Sequence, residues 1–216
     1  MTIIYMAFQI VFLLKAILII YHNNINIMFE EIKESVRDVL RPLAKKTTEI
    51  NPNTLTLFGL LLSLVSAYFF ARQELYWAGT FLLAGGFFDS LDGLVARENN
   101  RMTKFGGFLD SVCDRFADAA IIIGAIYGGL TRLDFIQGWL IGTIAIFGSL
   151  MVSYTRARAE AAGASASVGF GDRPVRLIII ILGAFFRMVN WAILLVAVIS
   201  LITVFQRITF VRRVLK

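Results

Sequence analysis

The stretch FFDSLDGLVARENNRMTKFGGFLDSVCDRFAD, residues 87–118, decides how this chain folds. It holds five aspartates, Asp89, Asp92, Asp110, Asp114 and Asp118, and is flanked on both sides by apolar runs. Asp89 and Asp92 are spaced i, i+3, while Asp110, Asp114 and Asp118 are spaced i, i+4. On helices, each group therefore lines one face. The flanks have the character of bilayer-crossing segments, which take roughly 20 apolar residues each. An aspartate near the bilayer centre costs about 2.5–3.5 kcal/mol. Several of them are tolerated only if the two acidic faces meet each other or a wet cavity. The stretch predicts two membrane helices packed about a polar centre.

Working outward, the rest of the chain has the same character. Of its 216 residues, 58% are hydrophobic and 17% charged, against about 45–50% and 25% in soluble domains. Composition thus excludes an ordinary soluble domain. No alternating polar and apolar strand pattern occurs, which argues against a transmembrane barrel, and helices are the other way to satisfy backbone groups in lipid. A single cysteine, Cys113, excludes an internal disulfide. With a single histidine, His22, a His/Cys zinc site is excluded as well.

The apolar runs predict an all-α, polytopic membrane helix bundle with six core transmembrane helices. The spans fall near 54–71, 77–96, 105–129, 135–157, 174–187 and 189–210. Asn51-Pro52-Asn53 suits a helix start. A short loop occupies 72–76, and a Gly-, Ala- and Ser-rich loop occupies 161–172. The last two spans form a hairpin turning near Arg187 and Asn190. Before the first span, Phe29, Ile32, Val36, Val39 and Leu40 recur at helical spacing among charges. They predict an amphipathic helix over 29–46 at the membrane interface. Residues 1–22 are apolar apart from Lys15 and similar polar positions, and a polar hinge follows from His22 to Asn26. They read as an extra membrane helix, a signal-like segment, or an upstream start on a protein beginning at Met28. Two parts result: an N-terminal segment of unclear role over 1–27, and a transmembrane domain over 28–216.

The net charge of +6 is distributed as a membrane protein requires, and nucleic acid is not implied. One side of the spans carries Lys33, Arg37, Arg41, Lys45, Lys46, Arg97, Arg101, Lys104, Arg156, Arg158, Arg173, Arg176, Arg207, Arg212, Arg213 and Lys216. The other carries only Arg72, Arg132 and Arg187. The positive-inside rule makes the first side cytoplasmic. The chain is expected in the cell membrane with its site on that face.

Two opposed acidic faces repel unless cations neutralise them, and all-oxygen ligands suit hard ions such as Mg²⁺, Mn²⁺ or Ca²⁺. Four such carboxylates can hold two ions and clamp a diphosphate. One aspartate could serve instead as a general base. Acids in membrane helices also line ion and proton pathways, so spacing alone leaves a transporter and a metal-dependent enzyme open. Gly93, Ala96 and Gly106 allow close approach of a backbone or a ligand. With Arg97 beside them, a phosphate-bearing ligand is the better explanation.

Taken together, residues 89–114 read Asp-x-x-Asp-Gly-x-x-Ala-Arg, eight residues, then Gly-x-x-x-Asp-x-x-x-Asp. This resembles, at every fixed position, the signature of the CDP-alcohol phosphotransferase family, over about residues 29–213. The resemblance implies a transferase that joins an alcohol to a CDP-activated lipid and releases CMP. By position, Asp89, Asp92, Asp110 and Asp114 would bind two divalent ions, Mg²⁺ or Mn²⁺. Asp114 would also be the catalytic base. Asp92, Gly93, Ala96, Arg97 and Gly106 would hold the CDP-lipid, joined by Asn53 and Thr56 from the Pro52-Asn53-Thr54-Leu55-Thr56 segment. Asp118 lies outside the signature and is expected to support it or to contact Arg115.

The second half is similar to the inositol-phosphate-using branch of that family, the phosphatidylinositol phosphate synthases and their archaeal counterparts. The likeness rests on Ser153-Tyr154-Thr155-Arg156-Ala157-Arg158-Ala159-Glu160, on Arg173-Pro174-Val175-Arg176, and on Gln206-Arg207. It implies L-myo-inositol-1-phosphate as the acceptor and CDP-archaeol or CDP-diacylglycerol as the donor. Ser153, Arg156, Arg173, Arg176 and Arg207 become the candidate ligands of the acceptor phosphate. Ordinary positive-inside anchoring is the other reading of any one arginine, and glycerol-3-phosphate or serine are the other acceptors. Asp172 departs from the glutamate common at its position, and is expected to meet inositol hydroxyls or to cap the fifth span. The resemblance also implies a homodimer, and small residues along the third and fourth spans permit close helix contact.

Overall fold

The computed structural model describes residues 41–42, 50–134, 136–166 and 168–215. The N-terminal segment over 1–27 lies outside the described residues, as does nearly all of the amphipathic stretch over 29–46. From residue 50 onward the described residues belong to one unit, Thr47–Lys216. That unit is built from α1 (Pro52–Ala71), α2 (Leu75–Glu98), α3 (Lys104–Tyr127), α4 (Gly138–Ala161), α5 (Arg173–Phe185) and α6 (Val189–Val214). Among the described residues the only β-pairing is an isolated bridge between Leu133 and Ile136.

Local chemistry sets the helix starts. Asn51 caps α1 by accepting from the Asn53 N–H at 3.0 Å, and Pro52 opens the first turn. Thr103 caps α3 by accepting from the Gly106 N–H at 2.9 Å. Between α5 and α6 the chain reverses through Arg187, whose φ is +56°. This is the turn expected from the sequence.

α1 packs on α2 and α3, α4 on α6, and α5 lies against both α2 and α6. All six helices contribute to one core, through Phe70, Leu82, Ile121, Ile141, Ile180 and Ile193 among others. Much of the remaining interior is small or polar, including Ser63, Ser66, Ser149, Ser200 and Thr203. Large apolar side chains such as Leu61, Leu83, Phe116, Phe147 and Leu201 point outward instead. A water-soluble protein rarely presents that much apolar surface. Small residues inside and large ones outside is the pattern of helices packed in lipid. The small residues of α3 and α4 are spent on contacts within the chain. A Cβ on Gly124 would collide with the Ala67 carbonyl of α1, and one on Gly148 would come within 2.9 Å of Ser200 Cβ on α6.

α1, α4 and α6 are long and apolar enough to cross a membrane. α2 and α3 are as long, at 24 residues each, but the aspartates interrupt them. α5 is shorter than its expected span over 174–187. Its 13 residues reach about 20 Å, against roughly 30 Å of hydrocarbon. The helix begins one residue earlier than expected and ends two residues earlier. The connection over 162–172 reads from sequence as a loop, and in the structure Ala164 and Ala166 are buried and the Gly171 N–H donates to Thr203 Oγ1, midway along α6, at 2.8 Å. The chain thus enters the bundle before α5 begins. Gly169, at φ +119°, makes the bend in close contact with Thr203.

Candidate active site

The acids of α2 and α3 come together. One carboxylate oxygen from each of Asp89, Asp110 and Asp114 lies within 4.8 Å of the others. Asp92 points toward α1, buried at 5% exposure, and accepts a very short hydrogen bond from the Thr56 hydroxyl. A cleft of about 190 Å³ opens beside these groups. Its walls include Asn53, Thr56, Asp92, Gly93, Ala96, Arg97 and Gly106, together with Asp110. All seven positions expected at the CDP-lipid therefore share one concavity. Arg101, Met102, Thr103 and Gly107 line it too. Sequence reasoning did not single these four out, although their place between the two halves of the signature was the available signal.

The geometry also allows a test of fit to divalent cations. The donors are all carboxylate oxygens, the class that hard ions prefer. Asp114 Oδ1 is buried and takes no hydrogen bond, although Arg173 Nη1 stands 2.8 Å away. The nitrogen's hydrogen bond goes to Asp89 Oδ2, at 2.6 Å. A buried acceptor with a spare lone pair beside two further carboxylates is suited to a cation.

The arginines divide into three groups. Arg173, 16% exposed, sits at the carboxylates themselves, and its Nε lies 3.4 Å from Asp118 Oδ1. Arg176 and Arg207 are buried, at 3% and 1%. Arg176 donates to Asp118 Oδ2 at 2.7 Å and to the Gly171 carbonyl. Arg207 donates to Val152 O at 2.5 Å, to Val168 O at 2.9 Å and to Asp172 Oδ1 at 2.7 Å. Arg156 is exposed, in an i, i+4 pair with Glu160 at 3.0 Å. Ser153, half-buried, follows Val152 on α4.

For Asp118 and Asp172 the structure shows which of the expected contacts are made. Asp118 pairs with Arg173 and Arg176, whereas Arg115 stands 3.9 Å from Asp114 and donates to the Ser111 carbonyl. Asp172 occupies the N-cap position of α5 without making a capping hydrogen bond, because its carboxylate is engaged by Arg207.

The chain is similar to proteins of known name. Archaetidylinositol phosphate synthase of Pyrococcus horikoshii is 40% identical over 184 residues, covering 84% of this chain and 95% of the relative. Archaetidylinositol phosphate synthase of Methanothermobacter thermautotrophicus is 37% identical over 195 residues, covering 88% and 96%. Among solved structures, the Mycobacterium tuberculosis phosphatidylinositol phosphate synthase with CDP-DAG bound superimposes with a TM-score of 0.71 at 31% identity, covering 81% of this chain and 94% of that one. The same enzyme in complex with manganese and citrate also gives 0.71 at 31% identity, covering 79% and 87%. Between a transferase and an ion pathway, these similarities favour a transferase for the chain. Residues 49–206 match the family model described as CDP-alcohol phosphatidyltransferase, and the chain belongs to that family.

Proposed function

We propose that this enzyme transfers the lipid phosphate group of a CDP-lipid to L-myo-inositol-1-phosphate and releases CMP. The observation that carries the reading is the single cleft on which all seven expected CDP-lipid positions converge, with Asp110 of the carboxylate trio in its wall. The two archaetidylinositol phosphate synthases support CDP-archaeol as the donor, with CDP-diacylglycerol the other lipid of the same chemistry. Asp89, Asp92, Asp110 and Asp114 are the residues to hold two divalent ions, Mg²⁺ or Mn²⁺, and the manganese complex of the mycobacterial relative supports this. When bound, such ions supply charge neutralisation to a diphosphate.

The chain's own groups do the rest. Asn53, Thr56, Gly93, Ala96, Arg97 and Gly106 bind and orient the CDP portion. Asp114 receives the proton of the acceptor hydroxyl as that oxygen bonds to the lipid-side phosphorus. The bond from that phosphorus to the CMP oxygen breaks, and CMP leaves with the electron pair. Ser153, Arg156, Arg173, Arg176 and Arg207 are proposed for the acceptor phosphate. A guanidinium has five N–H donors, and the internal partners given above for Arg176 and Arg207 leave each with donors to spare.

The reading includes a bundle of six helices in the cell membrane, of which α5 is too short to cross on its own, with the site on the cytoplasmic side, and a homodimer. The outward apolar surface supports the bilayer part. Phe105, Phe108, Phe116, Ile123 and Tyr127 leave α3 an outward apolar face for lipid or a second copy. Chelation tests the metal assignment. Purified protein should lose CMP release in EDTA and regain it with Mg²⁺ or Mn²⁺, and activity that survives EDTA would refute the assignment.

A further inference from the structure

Asp89 and Asp114 answer to two kinds of cation. Both are among the carboxylates proposed to hold divalent ions, and both already meet one guanidinium nitrogen. Arg173 Nη1 lies 2.6 Å from Asp89 Oδ2 and 2.8 Å from Asp114 Oδ1. Arg173 is the first residue of α5 and is mostly buried, so the contact is a part of the packed site. It is also an imperfect contact, because the nitrogen hydrogen-bonds Asp89 and leaves Asp114 Oδ1 without a hydrogen bond. A divalent ion on these oxygens would share them with a positive charge a few ångströms away, in a medium that screens poorly. Close association of both with the same two oxygens is unfavourable.

The guanidinium has a second anchor within reach. Its Nε stands 3.4 Å from Asp118 Oδ1, and Asp118 is fixed from the other side by Arg176 at 2.7 Å. Turning about Asp118, the Nη groups could leave Asp89 and Asp114 while Arg173 kept one carboxylate partner. The charged groups around it are these three aspartates and Asp110, with Arg176 on the far side of Asp118. A guanidinium released in this way is well formed for bidentate recognition of a phosphate.

We infer that Arg173 and the divalent cations are alternative partners of Asp89 and Asp114, so that cation loading frees Arg173 for an acceptor-borne phosphate. The inference rests on the metal assignment of the proposed function. It gives Arg173 a role in coupling two binding events, and such coupling is reciprocal. An anion that takes Arg173 tightens metal binding, and metal binding tightens that anion.

The test is Mn²⁺ titration of purified protein in detergent, without lipid or acceptor, read from the spin-resonance signal of free Mn²⁺. Arg173→Gln should bind Mn²⁺ about tenfold more tightly than wild type, within the usual range of coupling. Arg173→Lys, which keeps the charge, should stay near wild type. Sodium sulfate compared with sodium chloride at equal ionic strength should tighten Mn²⁺ binding severalfold in wild type and leave Arg173→Gln unchanged. Equal or weaker Mn²⁺ binding by folded Arg173→Gln would overturn the inference. The sulfate effect in wild type needs no variant, and its absence would overturn the inference even if Arg173→Gln did not fold. Loss of Mn²⁺ binding in Asp89→Asn shows that the metal assignment stands, so that a null result with Arg173 counts against the coupling alone. Failure of wild type to bind Mn²⁺ would remove the metal assignment and the inference with it.

Discussion

Thr56 at the start of α1 donates its hydroxyl to Asp92 of α2, 36 residues away, in a buried contact at the edge of the cleft proposed for the nucleotide. The same hydroxyl lies 3.2 Å from the Pro52 carbonyl. The first helical turn of α1 and the second acid of the signature are thus held by one side chain. Replacing Thr56 by Val keeps the shape and leaves the buried carboxylate oxygen short of a donor, a loss worth about 1–3 kcal/mol. The KM for the CDP-lipid should rise about tenfold, and Thr56→Ser should restore most of it. An unchanged KM in Thr56→Val would detach this contact from donor binding.

Asp114 is the proposed base, and its Oδ1 is the carboxylate oxygen of the site that is buried without a hydrogen bond. Asp114→Asn should reduce turnover by about 10²–10⁴-fold, the usual contribution of a general base. Binding of the CDP-lipid, measured directly on the same protein, should change little. Retained turnover would take the role away from Asp114.

Arg176 is tied to Asp118 and to the Gly171 carbonyl. Arg176→Ala should raise the KM for the acceptor far more than that for the CDP-lipid, because Arg176 does not line the nucleotide cleft. Equal changes in both constants, or an unchanged acceptor KM, would defeat its place at the acceptor phosphate.

Arg207 joins three parts of the chain: Val152 on α4, and Val168 and Asp172 in the connection before α5. Truncation to Ala strands two backbone acceptors and one carboxylate. Removing one partner of a buried ion pair typically costs about 3–5 kcal/mol. Asp172 is 41% exposed, so water softens its share and the lower end is expected. The thermal midpoint of Arg207→Ala in detergent should fall clearly, while Arg156→Ala, which breaks only an exposed pair, should leave it unchanged. Equal midpoints for the two variants would contradict the clasp.

The sequence was most readable where a local pattern controls the outcome. The i, i+3 and i, i+4 spacing brought Asp89, Asp110 and Asp114 together, and the fixed gaps around Gly93, Ala96, Arg97 and Gly106 marked one cleft. Helix limits followed from apolar runs and, at Asn51, from a capping residue. Long-range pairing was the part that could not be read. Nothing local shows that Asp118 takes Arg176, 58 positions on, in preference to nearby Arg115. Charge alone left Arg176 and Arg207 as phosphate ligands or positive-inside anchors, and did not show that both are buried among carbonyls and carboxylates. Glycine, alanine and serine over 162–172 read only as a loop because the donors that hold that segment inside, Arg176 and Arg207, stand on helices that follow it.

The central claim is a CDP-lipid transferase that takes a phosphorylated inositol, and CMP release measures it most directly. Purified protein in detergent is supplied with CDP-archaeol, Mg²⁺ or Mn²⁺, and one acceptor at a time. The account predicts CMP release with L-myo-inositol-1-phosphate and none above background with free inositol, glycerol-3-phosphate or serine. Release with glycerol-3-phosphate or serine in place of inositol-1-phosphate would contradict the acceptor assignment, and no release with any acceptor and either CDP-archaeol or CDP-diacylglycerol would contradict the account as a whole.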